Sequence, residues 1–141
     1  MIASPLGSPW IYLFEDKLNF RYHRELVQDI PAFLNTHPLP GEKLSYPAAV
    51  SAPQFGVSYA LLARVPNLSG TGKILLICGF YASGIRAAGE FAMDPASGAA
   101  LARLFKVKSV NDLPDFEVLL SIDSMASTPL NSKIVASRVI Q

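Results

Sequence analysis

Five consecutive apolar residues, Ile74-Leu-Leu-Ile-Cys78, stand between Lys73 and Gly79. Successive side chains of a strand point to opposite faces, so a strand that is apolar throughout has to be covered on both sides. The run therefore predicts a central strand over 73–79, with Leu75, Leu76 and Ile77 buried beneath two different layers. The chain has the material for those layers: half of its 141 residues are apolar and only 16% are charged. Ordinary domains carry about 25% charge, and disordered chains are poorer in apolar residues still. Disorder is excluded, and 1–141 reads as a single globular domain.

Around this strand the pattern alternates between helix and strand signals. Ile2 and Ala3 read as the end of a strand whose beginning is cut away. Ser8 and Pro9 take the N-cap and first positions of a helix, and Ile11, Phe14 and Leu18 give Pro9–Leu18 an apolar face. Phe20, Tyr22 and the run Val27–Leu34 predict two short strands or an irregular hairpin, broken by Pro31. His37–Glu42 is a turn-rich loop. Phe55, Val57, Tyr59, Leu61 and Ala63 alternate with period two and predict a strand over 55–65. Ser83 stands as the cap of a helix bearing Ile85, Ala88, Gly89 and Ala92. Asp94-Pro95 restarts the chain as a second helix to about Lys106, with Ala100, Leu101, Leu104 and Phe105 as its stripe. Phe116, Val118, Leu120 and Ile122 mark a further strand, and Lys133–Ile140 the last. This order predicts an α/β or α+β domain, a mixed β-sheet with two to three packed helices and a truncated N-terminal strand.

Most familiar chemistries lack their residues here. Asn67-Leu-Ser-Gly-Thr-Gly-Lys73 has Asn67 where a phosphate-binding loop needs Gly and Ile74 where it needs Ser or Thr, and a strand follows. A hairpin turn is the better reading. Cys78 has Gly84, not Arg, six positions on, and a thiol within an apolar run is a small buried hydrophobe. One cysteine makes no internal disulfide and no multi-cysteine zinc site. No Gly-x-Ser-x-Gly elbow occurs. The two histidines, His23 and His37, make no paired metal motif, and His23 beside Arg24 and Glu25 suits a solvated strand edge. Trp10, Phe20, Tyr22 and Phe55 lack a basic stripe between them and belong with the core. Accordingly we expect no catalytic residue, no metal and no cofactor.

Twelve basic against eleven acidic residues leave a net charge of +1, too little to hold a phosphate backbone, so direct nucleic-acid contact is not expected. The opening MIASPLGSPW has no positive region and no apolar run of signal-peptide type. The charge-free stretch Leu44–Ala63 is long enough to span a bilayer, yet Pro47 and Pro53 would break the helix. A cytoplasmic protein without membrane contact is the expectation. Its low charge points to a surface that meets another subunit, as a homodimer, or a missing upstream domain.

One constellation does suggest a ligand. The turns Ser4-Pro-Leu-Gly-Ser8 and Gly79-Phe-Tyr-Ala-Ser83 each lead from a strand into a helix, and helix N-termini attract anions. Parallel neighbouring strands would open both turns at one sheet edge. Ser4, Gly7, Ser8, Gly79 and Ser83 then form a candidate binding site for a small anionic ligand, with Arg86 closing it from one side. Every α/β domain owns such junctions, and most bind nothing.

Ile2-Ala-Ser-Pro-Leu-Gly-Ser-Pro-Trp10, Asn19-Phe20, Pro40-Gly-Glu42, Val65-Pro-Asn-Leu68 and Ala87-Ala-Gly-Glu-Phe91, with Phe116-Glu-Val-Leu119 and Lys133-Ile-Val-Ala136, resemble a recurring bacterial domain. Some proteins with that domain carry an N-terminal DNA-binding region. The resemblance touches nearly the whole chain and attaches no catalytic residue to its motifs. Ala3 departs from the pattern's Gly, and Ser83-Gly-Ile85 from its Gly-Thr-Glu, which replaces an acid by Ile85 near the candidate site. The resemblance implies a C-terminal sensing or regulatory module. Three function classes follow: a non-enzymatic ligand-sensing or regulatory domain, an enzyme domain binding a nucleotide or phosphorylated compound, and an assembly domain. The enzyme would need an acid–base pair near Ser8 or Ser83, where Asp16 and Glu90 are the nearby candidates.

Overall fold

The computed structural model describes residues 2–3, 9–24, 29–51, 55–126 and 128–141. In chain order they form β1 (Ile2–Ala3), a 3₁₀ helix (Pro9–Lys17), β2 (Phe20–Arg24), β3 (Pro31–Asn35), β4 (Ser45–Pro47), β5 (Ala49–Ser51), β6 (Phe55–Pro66), β7 (Lys73–Gly79), α1 (Ala82–Met93), α2 (Pro95–Leu104), a 3₁₀ turn (Val110–Asp112), β8 (Phe116–Met125) and β9 (Thr128–Val139). The main sheet has the order β1-β7-β6-β8-β9, with β5 also paired to β6, and β2-β3-β4 make a separate small sheet.

Side-chain alternation along β6 sets the layering. Tyr59, Leu61, Ala63 and Val65 point into one apolar cluster with Ile11, Phe14, Phe20, Phe33 and Tyr46 from the 3₁₀ helix and the small sheet. Ala60 and Leu62 point the other way, into a cluster with Ala87, Ala88 and Leu101 from the two α-helices. The main sheet is thus the middle of three layers, which is the double cover its apolar runs require. Hairpins build most of this sheet, and β1 beside β7 is its parallel pair. The domain is α+β with a mixed main sheet.

Several local expectations change in three dimensions. β6, not 73–79, has the central place; β1 pairs β7 only at Ile77 and Cys78, and on β7 Leu76, Ile77 and Cys78 are buried while Leu75 is 41% exposed. The segment expected as an amphipathic helix is 3₁₀ in type. Its buried residues Ile11 and Phe14 stand three apart, and a three-residue turn stacks them on one line. α1 begins two residues earlier than Ser83 implies: Tyr81 is the N-cap and makes no side-chain hydrogen bond there. The second helix starts as expected, Asp94 accepting the Ala96 N–H at 2.9 Å with Pro95 in its first turn. On it Leu101 and Ala102 are buried, whereas Leu104 is exposed. Of the four aromatics assigned to the core, Phe20 is buried and Tyr22 packs against it, but Trp10 and Phe55 lie open to solvent. His23 is exposed on β2, an edge strand of the small sheet, and Asn67–Gly72 closes the β6–β7 hairpin. Among the described residues no helix is long and apolar enough to cross a membrane.

Candidate functional site

β1 and β7 run side by side in the same direction, Ile2 opposite Ile77 and Ala3 opposite Cys78. The chain therefore leaves both strands at one edge of the sheet. The 3₁₀ helix that follows β1 packs on the small-sheet face, and α1, which follows β7, packs on the other. Neighbouring parallel strands whose continuations go to opposite faces create the crevice where open sheets bind ligands. Ser4, Gly7 and Ser8 fall outside the described residues, so the β7 side alone can be followed atom by atom.

On that side Gly79 brings strand and helix together. A Cβ there would stand 3.0 Å from the Ile85 nitrogen and 3.2 Å from the Gly84 carbonyl carbon, so a larger residue would push α1 away. Phe80 next turns to the small-sheet face and stacks on Phe33, ring centroids 4.6 Å apart. Tyr81 is exposed and Ser83 is buried in the first turn of α1. Below that turn Ser58 of β6 is 3% exposed, and its hydroxyl finds no hydrogen-bond partner among the described residues. A Cβ on Gly84 would lie 3.4 Å from this oxygen. Arg86 faces solvent and its Nε donates to Glu90 Oε1 at 2.9 Å, an exposed i,i+4 pair on the helix surface. Gly79, Ser83 and Arg86 thus share one helix start, with Arg86 already engaged by the acid that was the nearest candidate for proton transfer. Asp16 is exposed on the 3₁₀ helix.

A second polar centre, which the sequence reading missed, joins the two sheets. Glu117 on β8 is 1% exposed, and its carboxylate accepts the backbone N–H groups of Asn19 (2.6 Å) and Phe20 (3.2 Å) at the entry to β2. Beside it Arg138 on β9 donates to both oxygens of Glu42, at 2.8 Å to Oε1, and to the His37 carbonyl at 2.9 Å. Its guanidinium lies 5.3 Å from the centre of the Phe20 ring. Glu42 also accepts from Asn35 Nδ2 (2.8 Å) and the Leu39 N–H (3.0 Å), and Asn19 Nδ2 donates to Asn35 Oδ1 at 2.8 Å. Hydrogen bonding to Arg138 holds the Glu42 carboxyl well below its ordinary range, at about 2. Burial pushes Glu117 the opposite way, above its ordinary range, against the pull of its two N–H donors. Asn19-Phe20, Pro40-Gly-Glu42 and Phe116-Glu117, far apart in the chain, meet here. The signal was present: Leu119 and Ser121 share Glu117's face, and an apolar Leu119 already implies that this face is covered.

Elsewhere Cys78 is fully buried, and burial raises its thiol to about 12, which leaves almost no thiolate near neutrality. Among the described residues no group of three or more His, Cys, Asp or Glu side chains is placed to hold a metal ion. Compared with protein-family models, curated proteins and solved structures, the chain finds no match.

Proposed function

We propose that this chain is a ligand-sensing or regulatory domain that takes a small anion at the edge where β1 and β7 end. The observation that carries this reading is the parallel pairing of β1 with β7, whose continuations pack on opposite faces of the sheet. Supporting it are an α1 start without a side-chain cap and the buried Ser58 hydroxyl beneath it. Helix N-termini favour a carboxylate or phosphate by about 0.3–1 kcal/mol when exposed. Arg86 can contribute only by exchanging Glu90 for the ligand. A role in regulation accords with the resemblance to a domain found beside DNA-binding regions.

Titration of the full chain with inorganic phosphate and with acetate, followed by thermal unfolding and amide chemical shifts, tests the reading. Shifts confined to residues 79–86, weakened by Arg86→Ala with the fold unchanged, are expected. Uniform or absent shifts with both anions refute it. An assembly role has its own support in Trp10, Tyr12 and Leu13, three large apolar side chains exposed along the 3₁₀ helix. Sedimentation that shows a dimer lost on Trp10→Ser would favour that role instead.

A further inference from the structure

Two exposed patches of opposite character lie on the two outer layers of the fold. The first is on the 3₁₀ helix, where residues three apart stand in line. Ile11 and Phe14 make its buried line, and Trp10, Leu13 and Asp16 make an exposed one, with Tyr12 and Glu15 beside it. Trp10 is 61% and Leu13 48% exposed, and neither Glu15 nor Asp16 has a cation partner among the described residues. Lys17 continues the buried line, and its Nζ turns to the Phe14 ring and the Pro66 carbonyl instead. The second patch is the end of α2 with the loop that follows. Arg103, Lys106 and Lys108 are exposed there, and none has an ion-pair partner among the described residues. Leu104 and Val110 are exposed in the same stretch, and the next acid along the chain, Asp112, accepts the Ser109 hydroxyl at 3.0 Å. Only 16% of the residues are charged and the net charge is +1, so an acidic apolar ridge and a basic apolar turn, both without counter-charges, are each other's complement.

We propose that the two patches join copies of this chain head to tail: the Trp10–Leu13–Asp16 ridge of one copy seats on the Arg103–Lys108 turn of the next. The ridge belongs to the layer that carries the small sheet, and the turn to the layer of the α-helices, with the main sheet between them. A two-fold dimer would need both patches on one side of the molecule. Each copy therefore meets its two neighbours through different surfaces, and the contact repeats from copy to copy. Like charges oppose ridge on ridge and turn on turn, which leaves the head-to-tail pairing as the favoured one. The apolar side chains supply the attraction. The charges set orientation and salt dependence, since exposed ion pairs add little strength of their own. This contact rests on the assembly reading above and is independent of the anion site.

The test uses the whole chain. Sedimentation velocity across a wide concentration range should show species that grow past the dimer. Raising salt from about 0.15 M to 1 M shortens the screening length from about 8 Å to about 3 Å and should shrink them. Trp10→Ser with Leu13→Ser removes the anchors of the ridge, and Lys106→Glu with Lys108→Glu reverses the charge of the turn. All four side chains are exposed, and circular dichroism checks that each variant keeps its fold. Each variant alone should be a monomer. Mixed in equal amounts they should form a dimer and nothing larger, because one intact ridge meets one intact turn and the pairing stops there. A monomeric wild type, a variant that still assembles, or a mixture that stays monomeric would overturn the proposal. A wild-type dimer that does not grow would overturn it as well, while leaving an assembly role standing. Should a variant not fold, the growth of the wild-type species and their loss in salt decide.

Discussion

At the scale of single residues, the sharpest contrast lies between neighbours on β7. Leu76 is buried in the layer facing the small sheet and Leu75 is largely exposed. Leu76→Ala should cost roughly 2–5 kcal/mol, the range for a large side chain deleted from a packed core, and Leu75→Ala well under half of that. Urea unfolding of the two variants measures the difference, and equal losses would contradict the packing described. The Glu42–Arg138 pair adds a prediction in pH. With Glu42 held at about 2 by Arg138, stability should decline as pH falls through the ordinary carboxylate range. The pair's share of that loss is on the order of 1–3 kcal/mol. Arg138→Ala should abolish this part of the acid sensitivity, measured as the difference in denaturant midpoint between pH 3 and pH 6. The opposed shifts of Glu42 and Glu117 could not be read from the sequence. They depend on which residues of distant segments become neighbours.

Whole elements were more legible, because their signals are local. Period-two alternation located β6 and β8, and Asp94-Pro95 located the start of α2 to the residue. Local signals fail where a neighbour decides. Leu75 lies in the same apolar run as Leu76, yet Leu76 is buried against the small sheet while Leu75, on the opposite face, is exposed. Ser83 looks like a cap by composition, but the helix begins at Ala82 with Ser83 buried inside its first turn, and Gly79 packs closely on the Gly84–Ile85 peptide. Of the candidate site, the sequence left the pairing of the two strands as a condition, which β1 and β7 meet; Gly79, Ser83 and Arg86 lie at the start of α1, and Ser4, Gly7 and Ser8 lie outside the described residues. Two substitutions test these junctions by circular dichroism melts. Asp94→Ala should cost about 0.5–2 kcal/mol, the loss of a helix cap. Gly79→Ala should cost roughly 1–3 kcal/mol, because the backbone of α1 has to retreat from the added methyl.

Over the whole molecule, the layers differ in how far along the chain their partners lie. β6 with β7 and β8 with β9 are hairpins of near neighbours, whereas the small sheet is fastened by Glu117 and Arg138 across about a hundred residues. Closing long loops is entropically costly, so local hairpins form early and distant pairings late. Folding should begin in the C-terminal part, and substitutions such as Phe33→Leu should speed unfolding while leaving the folding rate nearly unchanged; a large fall in folding rate would reverse this order. On the ribosome the same arrangement means that the first third of the chain emerges before any of its anchors exist. Phe14, Phe20 and Phe33 then wait in water at least until β6 and β7 have been synthesised, and during that interval the nascent chain offers a chaperone its most attractive surface.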